Sequence, residues 1–351
     1  MTLQDVAHAA GVSKATAARV MGGYGISSPA AREKVLSIAQ ELGYQPNELA
    51  RSMTTGRSRT IGVVVSDIEN SFFAHAVRGV SEAARDAGFN VILANSGEDV
   101  EKERDAVRVL VGKRVDGLIV APASTTATQH LEEVHKSGRP LVLMDRAIPD
   151  LKVDAVTADD RAAAAAATRM LIEAGHTQIA FVSAKNSDDP IYRGMHQLIV
   201  ASVRDRIDGF LQTSRDAGIQ EADRFIRFAS ARQGATGPVV AELLSSPERP
   251  TAILASDNVV ALEVFKTIRS LALRIPNDVS LVAFHDADWT EVTDPPITVI
   301  RQPVFELGAE SAKALVERID GVAHTPKRLV LKTKLIERKS VAPPPKSTRV
   351  L

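Results

Sequence analysis

From Ile61 onward, short apolar runs alternate with stretches of helical periodicity, and this alternation constrains the fold more than any other feature. The runs are Ile61-Gly62-Val63-Val64-Val65, Val91 to Ala94, Gly117 to Val120, Pro140 to Met144, Ile179 to Ser183, Ala252 to Ala255 and Ser280 to Phe284. Runs of this length, apolar throughout, suit strands buried on both faces, and strands alternating with helices build parallel sheets covered by helices. The tetrapeptide Arg85-Asp86-Ala87-Gly88 recurs as Arg215-Asp216-Ala217-Gly218, each time after a helical stretch and before a strand. The echo predicts two similar lobes. Ligands in such sheets sit beyond the carboxyl ends of the strands, so two facing lobes place a crevice between them.

The first sixty residues are of another kind. No convincing strand occurs there, and three helices are marked by their caps. Thr2 with Asp5 has the capping-box pattern, and Leu3, Val6, Ala7 and Ala10 form an apolar stripe ending at Gly11. Ser13 caps a second helix running to about Met21, and Ala10-Gly11-Val12 is the tight turn of a helix-turn-helix. Ser28 followed by Pro29 starts a third, whose buried face is Val35, Ile38, Ala39 and Leu42 before Gly43. Asn47 to Gly56 has the length of two further turns, too short to be stable alone in water.

Charge follows the same division. Overall the chain is neutral, yet residues 1–60 hold 7 Lys/Arg against 4 Asp/Glu, while the rest holds 36 against 39. The basic surplus therefore lies in the helical head. The 351 residues exceed one ordinary core, and 44% hydrophobic with 25% charged residues is the make-up of a globular protein. With no cysteine, disulfides, thiolate nucleophiles and Cys-based zinc sites are excluded. No apolar run reaches the roughly 18 residues of a membrane span, and Met1 to Gly11 lacks the plan of a signal peptide, so a cytoplasmic protein is expected.

The chain resembles the LacI (lactose repressor-like) family along nearly its whole length. Thr2-Leu3-Gln4-Asp5-Val6-Ala7, Ala10-Gly11-Val12-Ser13, Ala15-Thr16 and Arg19-Val20 match the family's head, and Leu42-Gly43-Tyr44-Gln45-Pro46-Asn47 with Ala50-Arg51-Ser52 matches its hinge. Ordered matches continue through Asn70-Ser71-Phe72-Phe73, Arg114-Val115-Asp116-Gly117, Asp145-Arg146, Gly175-His176, Arg206 to Phe210, Ile275 to Ser280 and Leu335 to Ser340. The resemblance implies an α/β two-lobed periplasmic-binding-protein-like core, with parallel sheets flanked by helices, behind an N-terminal all-α helix-turn-helix DNA-binding domain. The expected bounds are 1–46 for the head, 47–59 for hinge helix and linker, and 60–340 for the core. Within the core, the N-lobe takes about 60–160 plus 292–323, and the C-lobe about 161–291 plus 324–340. The tail 341–351, with Pro343-Pro344-Pro345, is expected to be frayed.

The implied function is sequence-specific regulation of transcription, as a repressor, on a pseudo-palindromic double-stranded operator. A homodimer is expected, since no leucine-heptad tail follows Arg338, with a tetramer as the alternative. Candidate DNA contacts are Thr2, Ser13, Lys14, Ala15, Thr16, Arg19 and Tyr24 in the head and Asn47, Leu49, Ala50, Arg51 and Met53 in the hinge. Lys14, Ala15 and Arg19 open or flank the helix that enters the major groove. In isolation, an exposed Lys and Arg are ordinary solvated charge. Ala18 replaces the family's usual serine, which removes one phosphate hydrogen bond. Met53 stands where the family places a minor-groove wedge.

Effector contacts are expected from Phe72, Phe73, Asp145, Arg146, Arg206, Ser256, Asp257 and His285. The effector class is a sugar or sugar derivative. His285 stands where the family commonly has an aspartate, and beside Arg206 and Arg146 it would tolerate an anionic ligand such as a sugar acid. The stretch Lys185 to Arg204 is longer than the family pattern and leaves two readings, a lid carrying Tyr192, Arg193 and His196 or a surface loop. No catalytic residue, metal or cofactor is expected. An enzyme would call for a phosphate-binding Gly-rich loop ending in Lys-Ser/Thr, a nucleophile elbow or a His-Glu-x-x-His motif, none of which occurs. A free-standing solute-binding protein would call for a signal peptide where this chain has a basic helical head.

Overall fold

A computed structural model describes residues 1–23, 25–44, 56–185, 189–230 and 234–345. The chain forms two compact units, residues 1–60 with 111–116, and residues 61–110 with 117–351.

Three helices make the first unit: α1 (Leu3–Ala10), α2 (Lys14–Gly22) and α3 (Pro29–Glu41). Each begins where a side chain satisfies an otherwise orphaned backbone N–H. The Thr2 N–H donates to Asp5 Oδ2 at 2.7 Å while the Asp5 N–H donates to Thr2 Oγ1, a complete capping box. Ser13 and Ser28 accept from Thr16 and Ala31 in the same way. Gly11, at φ 63°, ends α1 in the left-handed conformation that a Cβ disfavours. Val6, Ala7, Ala10, Ala17, Val20, Val35 and Ala39 form the small core. The segment entering the first strand is anchored by one carboxylate: Asp116 accepts from the Ser58 N–H, the Ser58 hydroxyl and the Arg59 N–H at 2.7 to 2.9 Å.

The second unit holds two six-stranded sheets. The N-lobe sheet has the order β11-β5-β4-β3-β1-β2, with β1 (Thr60–Val65), β2 (Asn90–Asn95), β3 (Gly117–Val120), β4 (Leu141–Asp145), β5 (Asp154–Ala158) and β11 (Arg328–Leu331). The C-lobe sheet has the order β12-β10-β9-β8-β6-β7, with β6 (Ile179–Lys185), β7 (Ile226–Ser230), β8 (Ala252–Ala255), β9 (Ser280–Phe284), β10 (Thr298–Arg301) and β12 (Lys334–Ile336). Both sheets thus repeat one order, second-first-third-fourth-fifth, and each is finished by a late strand. The antiparallel β12 aside, the recorded pairings are parallel. The order reverses between β1 and β3 and again between β6 and β8, which are the switch points where such sheets open a crevice.

Helices α4 (Ser71–Asp86), α5 (Val100–Gly112) and α6 (Gln129–Lys136) belong to the first lobe, and α7 (Asp160–Glu173), α8 (Ala201–Asp216), α9 (Thr236–Ser245), α10 (Asn258–Ser270) and α11 (Trp289–Val292) to the second. The last helix, α12 (Val304–Ile319), returns to the first lobe and packs on α4. Glycine permits that crossing: a Cβ on Gly79 would collide with the Phe305 carbonyl oxygen, and one on Gly308 with that of Ala76. Gly209 lies against Arg161 in the same fashion where α8 crosses α7.

Two expected boundaries are corrected. The lobes do not divide at 292 and 324, because β10 pairs in parallel with β9 (Thr298 with Val282) and β11 with β5 (Arg328 with Ala155). The late crossings therefore fall between β10 and α12 and between β11 and β12. The tail is not free from 341: the Ala342 N–H donates to Ser280 Oγ, its carbonyl lies 2.9 Å from His176 Nε2, and Val341 packs on the C-lobe core.

Candidate functional site

A cavity of about 310 Å³ opens where the carboxyl ends of the two sheets converge. Asn70, Phe72 and Phe73 follow β1, Glu98 follows β2, Ala123 follows β3, and Asp145 and Arg146 end β4. From the other lobe come Ser183 and Ala184 at the end of β6, Arg206 on α8, Phe228 on β7 and Asp257 before α10, with Gln302 just beyond β10.

Both arginines are held by carboxylates. Arg146 forms a bidentate pair with Glu98, at 2.6 and 2.7 Å, and donates also to Asp145, Ser66 Oγ and the Pro122 carbonyl. Burial works against its charge, but the Glu98 carboxylate prevails and raises its pKa. Arg206 donates to Asp160 at 2.8 Å and to the Ser256 carbonyl, and lies over the Phe284 ring at 4.3 Å. Burial pushes the Asp160 carboxyl up to about 7 against the pull of Arg206, and it raises the Asp145 carboxyl too. Asp257 accepts from the N–H groups of Val259 and Val260 at the start of α10 and from the Ser256 hydroxyl.

Two cavity-lining atoms stand out. Among the described residues, Asp145 Oδ1 and Gln302 Nε2 are buried without a hydrogen-bond partner, an acceptor at the end of β4 and a donor just beyond β10. Asp145 also has φ 68°, a conformation that costs a non-glycine residue energy and is retained where a side chain must be aimed. His285 has φ 71° at the matching place after β9.

Of the residues expected to meet an effector, Phe72, Phe73, Asp145, Arg146, Arg206 and Asp257 share this cavity. Ser256 does not line it, but its carbonyl accepts from Arg206 and its hydroxyl donates to Asp257. His285 is not among the lining residues; it sits between the lobes, with Nε2 3.3 Å from Ser71 Oγ and its ring edge-on to Phe72. Burial lowers its pKa to about 4, so near neutral pH it is uncharged. The anion-tolerant site read from His285 and the two arginines therefore lacks its free positive charge. Within the 185–204 stretch, the described residues from 189 onward pack on the core. Pro190 and Ile191 pair with β7, Leu198 is buried in the C-lobe core, and 197–200 line the cavity. Asn70, Glu98, Ser183, Gln197 and Gln302 are not marked by the sequence, although all but Gln197, which lies in the long stretch before α8, follow or end a strand-like run or lie beside one.

In the head, Lys14, Ala15 and Arg19 are exposed on one face of α2, opposite the buried Ala17 and Val20. Thr16 bridges Ser13 and Arg19 by hydrogen bonds of 2.9 and 3.3 Å, which fixes the guanidinium along the helix. Thr2 and Ser13 are both N-caps. Tyr24, Asn47, Leu49, Ala50, Arg51 and Met53 lie outside the described residues, and so does the expected hinge helix.

Comparison with known proteins decides the family. Residues 2–47 match the family described as bacterial regulatory proteins of the lacI family, and residues 58–339 match the periplasmic binding proteins and sugar binding domain of the LacI family. The chain belongs to the LacI family. Catabolite control protein A of Priestia megaterium is 32% identical to it over 317 residues, covering 90% of this chain and 92% of that protein. A transcriptional regulator CelR-cellobiose complex superposes with a TM-score of 0.70 at 30% identity, covering 97% and 99% of the two chains. The lac repressor dimer bound to operator and the anti-inducer ONPF superposes with a TM-score of 0.81 at 25% identity, over 97% of this chain and 99% of that one. This LacI-family chain is accordingly a DNA-binding regulator of transcription, and no helix among its described residues is long and apolar enough to cross a membrane.

Proposed function

We propose that the protein is a repressor that binds a pseudo-palindromic operator as a homodimer and is released from it by a small effector held between the core lobes. The observation that carries the effector half is the cavity at both switch points, with Asp145 Oδ1 and Gln302 Nε2 buried and unpaired in its wall. A ligand hydroxyl donates to the one and accepts from the other, so binding removes two desolvation penalties at once. Effector contact is assigned to Phe72, Phe73, Asp145, Arg146, Arg206 and Asp257. Cellobiose in the similar regulator and the match to the sugar binding domain of the LacI family support a sugar or sugar derivative.

The DNA-binding half rests on the exposed Lys14, Ala15 and Arg19 face, with Thr2, Ser13 and Thr16 beside it. Arg19 and Lys14 meet phosphates or base edges, and Ala15 offers only apolar contact. Effector and operator are linked through one conformational equilibrium: a ligand that favours one lobe arrangement shifts the population of the DNA-competent state by its difference in affinity. The protein acts where its DNA is, in the cytoplasm, and no reaction chemistry is assigned to it. Selection of bound duplexes from a random pool tests this reading. Two inverted half-sites about one helical turn apart are expected, and recovery of unrelated sequences would refute it.

A further inference from the structure

The cavity's chemistry narrows what fills it. Its two arginines are each engaged by carboxylates, Arg146 by Glu98 and Asp145, Arg206 by Asp160. With Asp257 also on the wall, carboxylates outnumber guanidiniums, and an anionic ligand finds no unpaired cation among these groups. The other side of the cavity is mainly apolar: Leu198, Ile199 and Val200 at the end of the over-long connection between β6 and α8, Val203 on the first turn of α8, and Phe228 line it, with Gln197 and Ser202 beside them. Hydrogen bonds at Pro190 and Ile199 tie the segment carrying this wall to both lobes. The Phe228 N–H donates to the Pro190 carbonyl on the C-lobe, and the Thr125 N–H and hydroxyl of the N-lobe both donate to the Ile199 carbonyl, at 2.8 and 3.1 Å. The connection thus bridges the two lobes while presenting aliphatic side chains to the cavity.

We infer that the ligand is uncharged and half apolar, a hydroxyl-bearing body meeting Asp145 and Gln302 and an attached apolar group seated against Leu198, Val200, Val203 and Phe228. This rests on the reading of the cavity as the effector site. The 197–203 wall is then the specificity element, because it rewards an apolar substituent that a plain polyol lacks.

Isothermal titration of the full chain with phenyl glycosides of glucose, galactose, mannose and xylose, the four free sugars, and glucuronate and galacturonate tests the inference. At least one phenyl glycoside should bind about tenfold or more tightly than its own free sugar, as burial of an aromatic ring requires, and the uronates should bind more weakly than their neutral parents. In Val200→Asn the ratio of phenyl-glycoside to free-sugar affinity should shrink severalfold. Asparagine suits this position, since Val200 is the N-cap of α8. The inference is overturned if no phenyl glycoside gains over its free sugar, if a uronate matches its neutral parent, or if Val200→Asn keeps the full advantage. Operator binding by the ligand-free chain, measured alongside, separates the cases: its absence refutes the regulator reading, whereas its presence with no phenyl advantage refutes only the ligand class.

Discussion

Asn258, on the first turn of α10, reaches across the cleft and donates from one amide nitrogen to Asn70 Oδ1 at 2.9 Å and to Ser71 Oγ at 3.1 Å. Asn70 is itself the N-cap of α4, accepting from the Phe72 N–H. Two helix starts, one from each lobe, are therefore joined through Asn258 and the Asn70 cap. Asn258→Ala should remove both bonds to the half-buried Asn70 and Ser71, lowering stability by about 0.5–1.5 kcal/mol. Urea unfolding of the variant checks this, and an unchanged midpoint would show that the lobes do not depend on the bridge.

Arg206 and Asp160 form a second buried link, within the C-lobe. Breaking one side strands a charge, so Arg206→Met alone should cost about 3–5 kcal/mol. Replacing both, Arg206→Met with Asp160→Leu, should restore much of that loss. A double-mutant cycle by denaturant titration measures the coupling, and simple additivity of the two losses would contradict the buried-pair account.

His285 makes stability depend on pH with a definite sign. Its folded pKa is about 4, below the ordinary 6.5. The unfolded chain therefore binds the proton first, and this group's contribution is present above the ordinary value and lost as pH falls toward 4. The full difference is up to about 3 kcal/mol. Asp160, raised to about 7, works in the opposite direction across an overlapping window, so the wild-type curve alone is ambiguous. The gap between wild type and His285→Gln isolates the histidine. That gap should move in the variant's favour on acidification from pH 7 to pH 5, and a constant gap would rule the assignment out.

Gly79→Ala tests the crossing of α4 and α12. The added methyl meets the Phe305 backbone rather than a movable side chain, so the helices must separate at a cost of about 1–3 kcal/mol or more. Thermal melting of the full chain should show a clear drop. Gly88→Ala is a poor control because its φ is 75°, whereas Gly112→Ala, open on all sides, is a fair one.

Much of this molecule is written locally. The caps Thr2, Ser13 and Ser28 act within one helical turn, so their side chains alone mark the head's three helices. The buried strands β3, β8 and β9 are apolar throughout and bounded by turns, which makes them visible as runs. Strands β10, β11 and β12 are three or four residues long, and β11 is mostly exposed, so no periodicity marks them. Which lobe each joins depends on pairing with residues more than a hundred positions away for β11, and this the local pattern does not contain. The cavity was legible to the extent that strand ends announce it: Phe72, Asp145 and Asp257 each follow a run. Glu98 and Gln302 follow such runs as well, but nothing local distinguishes a loop glutamate or glutamine that meets Arg146 or the cavity from one that meets water. His285 shows the converse, since it follows β9 as the other strand-end residues follow theirs, yet its ring meets Ser71, a contact that no local pattern contains.

The most direct test of the central claim is fluorescence anisotropy of the full chain on a duplex carrying the selected inverted repeat, at several salt concentrations, with and without ligand. The account predicts preference over random duplex, an affinity that falls steeply and log-linearly with salt as Lys14, Arg19 and their neighbours release counterions from phosphates, and a weaker complex once an effector occupies the cleft. Equal binding to random duplex, with no response to any ligand that calorimetry shows to bind the core, would contradict it.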